Sequence, residues 1–141
     1  MDEQRAQDVF CVPLRDESDV ATARFRTRSL CEQLGFDSRV LEALALAVSE
    51  VARNVIVHAR GGELRVGTLR KGELSGVVVV AKDNGPGIAN LADAMTDGFS
   101  TGTGLGLGLP SARRLVDELE LHSVVGEGTT VTLRQWRRAR Y

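Results

Sequence analysis

At 141 residues, with 43% apolar and 26% charged side chains, the chain is sized and composed for one globular domain around a single core. A formal net charge of −1 gives no overall field to recruit nucleic acid or an anionic membrane, and no apolar run approaches membrane-spanning length. Cys11 and Cys31 have no CxxC spacing and no histidines arranged to share a metal, so they read as buried or idle thiols, and the acidic, polar first residues carry no secretory signal; a cytoplasmic protein is expected.

Val9 to Leu14 reads as a short strand, stopped near Pro13 by an acidic turn. Ser18 or Asp16 is placed to cap a helix from about Asp19 to Gln33, with Val20, Phe25 and Leu30 among its buried positions and arginines outside. Gly35 breaks it. Asp37-Ser38 then starts a second helix that ends at Gly61-Gly62. On it Leu41, Leu44, Ala45, Val48, Val51, Ala52, Val55 and Ile56 share one broad face. Glu50 and Asn54 stand on the other side, one turn apart, with only Ala43 and Ala47 beside them to leave room for a ligand. Glu63 to Leu69 is a half-buried strand and Lys71-Gly72-Glu73 a turn. Val77 to Ala81 is a continuous β-branched run suited to a central strand.

That strand runs into Lys82-Asp83-Asn84-Gly85-Pro86-Gly87, followed by a loop-like segment from Ile88 to Thr103. The series Gly102, Gly104, Gly106, Gly108 opens a helix from about Leu107 to Leu119, whose first turn tolerates Pro110. Leu121 to Val125 and Thr129 to Trp136 close the chain as strands joined by Gly126-Glu127-Gly128. There is no internal repeat or linker, so residues 1–141 read as one domain. The order β-α-α-β-β-loop-α-β-β implies an α/β (α+β) two-layer sandwich, a mixed sheet with helices on one face.

Three motifs carry chemistry. A carboxylate on Glu50 can accept a proton, and the amide oxygen of Asn54 is a hard ligand suited to Mg²⁺; taken alone, Glu-x-x-x-Asn also fits a solvated helix face. Asp83-x-Gly85-x-Gly87 places an acceptor for an exocyclic amino group beside backbone bare enough to pack on a flat ring, although Asp-x-Gly alone is also a common turn. Gly102-Thr103-Gly104-Leu105-Gly106-Leu107-Gly108 offers backbone N–H groups at a helix start as an anion cradle, or else a flexible loop before a capped helix. It is not a Walker A loop, because no Gly-Lys-Ser/Thr follows, and it lies too far from the first strand for a dinucleotide fingerprint.

Taken in order from Leu41 onward, with Gly-x-Gly-Thr near the C-terminus, these motifs resemble the GHKL ATPases, the superfamily of gyrase, Hsp90, histidine kinases and MutL built on the Bergerat ATP-binding fold. The resemblance implies that Glu50 is the general base and that Asn54 coordinates Mg²⁺ bridging the phosphates of ATP. It implies that Asp83 binds the adenine amino group, supported by Gly85, Gly87 and Thr129. Gly102, Thr103, Gly104, Leu105, Gly106, Leu107 and Gly108 would wrap the phosphates, and Ile88 to Thr101 would form the ATP lid. Arg53 is left with three roles: pairing with Glu50, touching a phosphate or partner, or a plain surface ion pair.

Within the superfamily, Ala47-Val48-Ser49-Glu50-Val51-Ala52-Arg53-Asn54 and Asp97-Gly98-Phe99-Ser100-Thr101 resemble the small serine kinases of bacterial partner-switching modules. Arg53 and the Asp-Gly-Phe-Ser-Thr run favour the stressosome switch kinases over the anti-sigma factor kinases. That likeness implies STAS-domain antagonist proteins as substrates and a PP2C-type phosphatase as a second partner. The alternatives are a sigma factor as bound partner, or an ATP-gated binding module without catalysis. Phe99 is expected on the closed lid or a partner, His58 at a helix end, and His122 on a strand surface. The basic run Arg134, Trp136, Arg137, Arg138, Arg140 is expected as a solvated end or a docking site.

Overall fold

The computed structural model describes residues 4–59, 61–85, 87 and 109–137. The strands are β1 (Gln4–Leu14), β2 (Gly62–Lys71), β3 (Leu74–Asp83), β4 (Glu118–Val124) and β5 (Gly128–Trp136). The helices are α1 (Glu17–Gln33), α2 (Ser38–His58) and α3 (Leu109–Leu115). One five-stranded sheet runs β1-β2-β3-β5-β4. The two-layer arrangement is the expected one, but every neighbouring pair is antiparallel, so the sheet is not mixed. The reason is topological. The chain leaving β3 returns through α3 into β4, which does run parallel to β3, but β5 is inserted between them.

Local chemistry sets the helix limits. Asp16 accepts a hydrogen bond from the backbone N–H of Ser18 at 2.9 Å and starts α1; Asp37 accepts from Arg39 N–H at 2.8 Å and starts α2. The apolar stripe of α2 is buried from Leu41 through Val55, with Ile56 half-buried. Facing it are the inward residues of the strands: Val12 and Leu14, Leu64 and Val66, Val77, Val79 and Ala81, Val131 and Leu133. α1 packs on α2 through its small residues Ala23, Thr27 and Cys31, all fully buried. That inner set, with Val20 and Leu30, places Phe25 on the outside of α1, where it is 66% exposed rather than buried as expected. Phe25 lines a cleft of about 250 Å³ with Arg24, Arg28, Ala21 and Glu17.

Two further boundaries differ from expectation. α3 ends at Leu115 and β4 already begins at Glu118, so the helix does not reach Leu119. The buried amide of Gln135 accepts from Asp117 N–H at 2.9 Å and donates to Asp117 Oδ2 at 3.0 Å, which turns the chain from helix into strand. Of the basic C-terminal run, Arg134 and Trp136 are tied into the sheet, Arg134 by a pair with Glu120 at 2.9 Å and Trp136 by its indole donating to Glu118 at 2.7 Å, whereas Arg137 is exposed as expected. Arg138 and Arg140 lie outside the described residues. His58 closes α2, and His122 is exposed on β4, as expected. Cys31 is buried, and burial pushes its thiol up to about 12; Cys11 is exposed and donates to Glu63. No described helix is long and apolar enough to cross a membrane.

Two outcomes test this packing. Leu44→Ala, at a fully buried position, lowers the free energy of unfolding by about 2–5 kcal/mol in urea, whereas Phe25→Ala changes it by less than about 0.5 kcal/mol. The Asp19 carboxylate is held below the ordinary carboxylate range, chiefly by hydrogen bonds from the side chain and backbone of Arg15. Its contribution is therefore present at neutral pH and fades as pH falls through its lowered value. Asp19→Asn destabilises the chain near pH 7, and denaturation at stepped pH shows the gap closing in acid.

Candidate functional site

Sheet register gathers the site at one end of the fold. Gly62 lies opposite Asp83, the β3–β5 ladder carries Lys82 opposite Thr130, and Ser123 lies opposite Thr129. Gly62, Asp83, Thr129 and Ser123 therefore form one row across the sheet, on the face that meets the helices. Asp83 Oδ1 accepts two backbone hydrogen bonds, from Gly85 N–H at 2.8 Å and from Thr129 N–H at 3.2 Å. One carboxylate oxygen thus ties the loop after β3 to the start of β5. Among the described residues nothing bonds the other oxygen, Oδ2, and the side chain is half-buried. An acceptor held in this way suits a flat ligand that offers an amino group.

The glycines of this loop are there for close approach. A Cβ on Gly85 would stand 2.8 Å from the Cβ of Ala59, where α2 ends. Gly87 has φ +78°, and a Cβ there would stand 2.5 Å from the carbonyl oxygen of Val124. The loop is therefore clasped between the end of α2 and the β4–β5 turn.

α2 carries the second half of the site. Glu50 and Asn54 are both half-buried and lie one turn apart, a rise of about 6 Å along the axis. No described residue hydrogen-bonds the Glu50 carboxylate, whose neighbouring charge is Arg53. Ala47 is fully buried and Ala43 half-buried, so the wall beside Glu50 is tighter than the open alanine stripe expected from the sequence. Among the described residues no cluster of His, Cys, Asp or Glu is placed to hold a metal. A hard divalent ion here would rely on the Asn54 amide together with oxygens of the ligand, which is how Mg²⁺ is commonly held beside phosphates.

The structure brings Asp83, Gly85 and Thr129 together directly and backs Gly87 onto the same loop. It turns Arg53 toward α1: Nη2 and Nε donate to Glu17 Oε1 at 2.9 and 3.2 Å, in a pair exposed to solvent. The Glu17 contact is the main influence holding the Arg53 guanidinium protonated, with Glu50 a lesser one. Gly102, Thr103, Gly104, Leu105, Gly106, Leu107 and Gly108, the expected lid from Ile88 to Thr101, and Phe99 lie outside the described residues.

Ser123 was not legible as a site residue. Its Oγ donates to the Gly128 carbonyl at 3.1 Å and lies 2.8 Å from Thr129 Oγ1. The available signal was a polar residue interrupting the inward series Leu119, Leu121, Ser123, next to a glycine-flanked turn.

Comparison with known proteins shows the family and the fold. The family model described as the histidine kinase-like ATPase domain matches residues 12–135. The serine/threonine-protein kinase RsbT of Bacillus subtilis is 39% identical over 131 residues, covering 93% of this chain and 98% of its own. The anti-sigma F factor of Anoxybacillus flavithermus is 30% identical over 118 residues, covering 79% of this chain and 80% of its own. The fold matches that of a Mycobacterium tuberculosis protein solved as its RsbU and RsbW domains, with TM-score 0.62 and 22% identity, over 97% of this chain and 34% of that one.

One substitution tests the close approach. Gly85→Ala has to push the loop away from Ala59, and about 1–3 kcal/mol of stability is lost through the overpacking. Gly126→Ala, with open space around it but φ +83°, separates backbone strain from contact in the same denaturation series.

Proposed function

The chain belongs to the histidine kinase-like ATPase domain family, and on that premise we propose that it is an ATP-dependent protein-serine/threonine kinase of the partner-switching type. The observation that carries the reading is the Asp83 carboxylate: one oxygen fixed by two backbone N–H groups, the other left to a ligand, in a loop closed by glycines. Kinship with RsbT over nearly the whole of both chains supports transfer to a protein hydroxyl.

In this reading Asp83 accepts a hydrogen bond from the adenine amino group, with Gly85, Gly87 and Thr129 shaping the slot. The N–H groups from Gly102 to Gly108, including Thr103, Leu105 and Leu107, receive the phosphates; that assignment rests on sequence. Glu50, half-buried and without a hydrogen-bond partner among the described residues, orients the attacking hydroxyl and accepts its proton. Asn54 would hold Mg²⁺, which supplies positive charge at the phosphates. Phosphoryl transfer of this kind has a loose transition state, so positioning and charge stabilisation carry most of the work.

The substrate we propose is a serine or threonine of a small STAS-domain antagonist, and the second partner a PP2C-type phosphatase bound on release from it. Both follow from the resemblance to switch kinases. Relatives named anti-sigma F factor, at 29–30% identity, support the alternative of a sigma factor as the bound protein. Arg53 pairs with Glu17 at the surface rather than with Glu50, so it is given no catalytic part in this scheme.

Labelled ATP, Mg²⁺ and candidate STAS proteins test the proposal. Glu50→Gln is expected to slow transfer by about 10²–10⁴-fold while ADP affinity stays within about threefold. Transfer at the wild-type rate by that variant removes Glu50 from the mechanism. Asn54→Ala is expected to raise the Mg²⁺ concentration needed for half-maximal transfer.

A further inference from the structure

The outward side of α1 carries an aromatic ring and arginines that the core does not use. Ala21, Arg24, Phe25 and Arg28 fall within an arc of about 100° on the helix and line the cleft of about 250 Å³ that α1 forms with α2. The floor of this cleft is closed. Val20 is buried, and so is Ser49, whose hydroxyl already donates to the carbonyl of Ala45 at 3.2 Å. Phe25 lines the same cleft while mostly exposed, so its ring keeps apolar area that a second molecule can cover.

The rim of the cleft has a sign. Three arginines line it, Arg24, Arg28 and Arg53, against one glutamate, Glu17, on a chain whose formal net charge is −1. Arg24 and Arg28 are one turn apart and repel each other. Among the described residues Arg24 has no ion pair. Arg28 and Arg53 each turn Nε and Nη2 to a single carboxylate oxygen, of Glu42 and of Glu17, and both pairs are exposed. A guanidinium has five N–H donors, so a carboxylate from outside can join either pair. Arginines and aromatic rings are what protein interfaces favour, and carboxylates match the guanidinium fork. We propose that this cleft docks an acidic segment of a partner protein, with an apolar side chain on Phe25 and carboxylates on Arg24 and Arg28. A line of phosphates is opposed here by Glu17 and Glu42, which stand among the arginines. On α2, Leu46 and Val57 are exposed on the strip that holds Arg53, and they extend the apolar surface beside Glu50. The inference rests on the kinase reading in one respect: a protein held on this strip comes next to the helix face that carries Glu50.

The probe is a synthetic peptide, acetyl-Asp-Glu-Leu-Phe-Glu-Asp-amide, titrated to millimolar concentration into the isotope-labelled full chain while its backbone amide spectrum is followed. The amides from Ala21 to Arg28 are expected to shift, and added salt to weaken the binding. Arg24→Glu is expected to weaken the peptide about tenfold and Phe25→Ala about fivefold, with the ADP dissociation constant unchanged in both. Both positions are exposed, so neither change disturbs the core. Equal shifts with a peptide in which lysines replace the acidic residues overturn the proposal. Phosphatidylserine vesicles that move these amides where the acidic peptide does not overturn it too. So do shifts that follow the chain's own concentration without peptide, which put a second copy on this face. A chain that binds ADP and leaves Ala21 to Arg28 unmoved by the peptide loses the docking cleft and keeps the ATP reading. One that binds the peptide there but no nucleotide keeps the cleft and loses the ATP reading.

Discussion

The double engagement of Asp83 Oδ1 is the constraint on which the site depends. Hydrogen bonds to an ionised acceptor are worth about 1.5–3 kcal/mol each, so the two from Gly85 and Thr129 hold a loop that has few other ties among the described residues. They exist only because β3 and β5 are neighbours, which in turn requires β4 to pair on the far side of β5. They also need α2 to end close against the loop, which the missing side chain of Gly85 permits at Ala59. Topology, helix length and one absent Cβ converge on one carboxylate.

The helical layer is fixed with comparable economy. α2 is buried along one whole side, and α1 rests on it through Ala23, Thr27 and Cys31 rather than through large side chains. The Arg53–Glu17 and Arg28–Glu42 pairs bridge the same two helices at the surface. Exposed pairs contribute little stability, so the buried face of α1 rather than these pairs holds the two helices together. The helix that presents Glu50 and Asn54 is thereby packed on α1, on whose outward face Phe25 stands in the cleft with Arg24 and Arg28.

Much of this was legible in the sequence because it is local. The stripe from Leu41 to Val55, the Asp16 and Asp37 caps and the run Val77 to Ala81 each announce themselves within a few residues. Asp83-x-Gly-x-Gly could be read as a possible base site for the same reason: strand, acceptor and bare backbone are contiguous. What the sequence hid is set by distant pairing. The sign of the sheet depends on where β5 inserts. The end of α3 depends on Gln135, buried and some twenty residues downstream of it. Phe25 faces outward despite its size because the spacing of Ala23, Thr27 and Cys31 marks the inner face of α1. Arg53 had three plausible partners in sequence, and only the crossing of α1 over α2 selects Glu17. Ser123 is a polar residue whose meaning comes from the hairpin that brings it to Thr129.

Under the proposed function a purine nucleotide sits with its base on Asp83 and its phosphates toward Glu50 and Asn54. A crystal structure of the chain with a non-hydrolysable ATP analogue and Mg²⁺ tests it most directly. The expected result is the base amino group within hydrogen-bond distance of Asp83 Oδ2 and the Asn54 amide oxygen on the metal. A base seated away from Asp83, or no nucleotide in the density at saturating concentration, contradicts it.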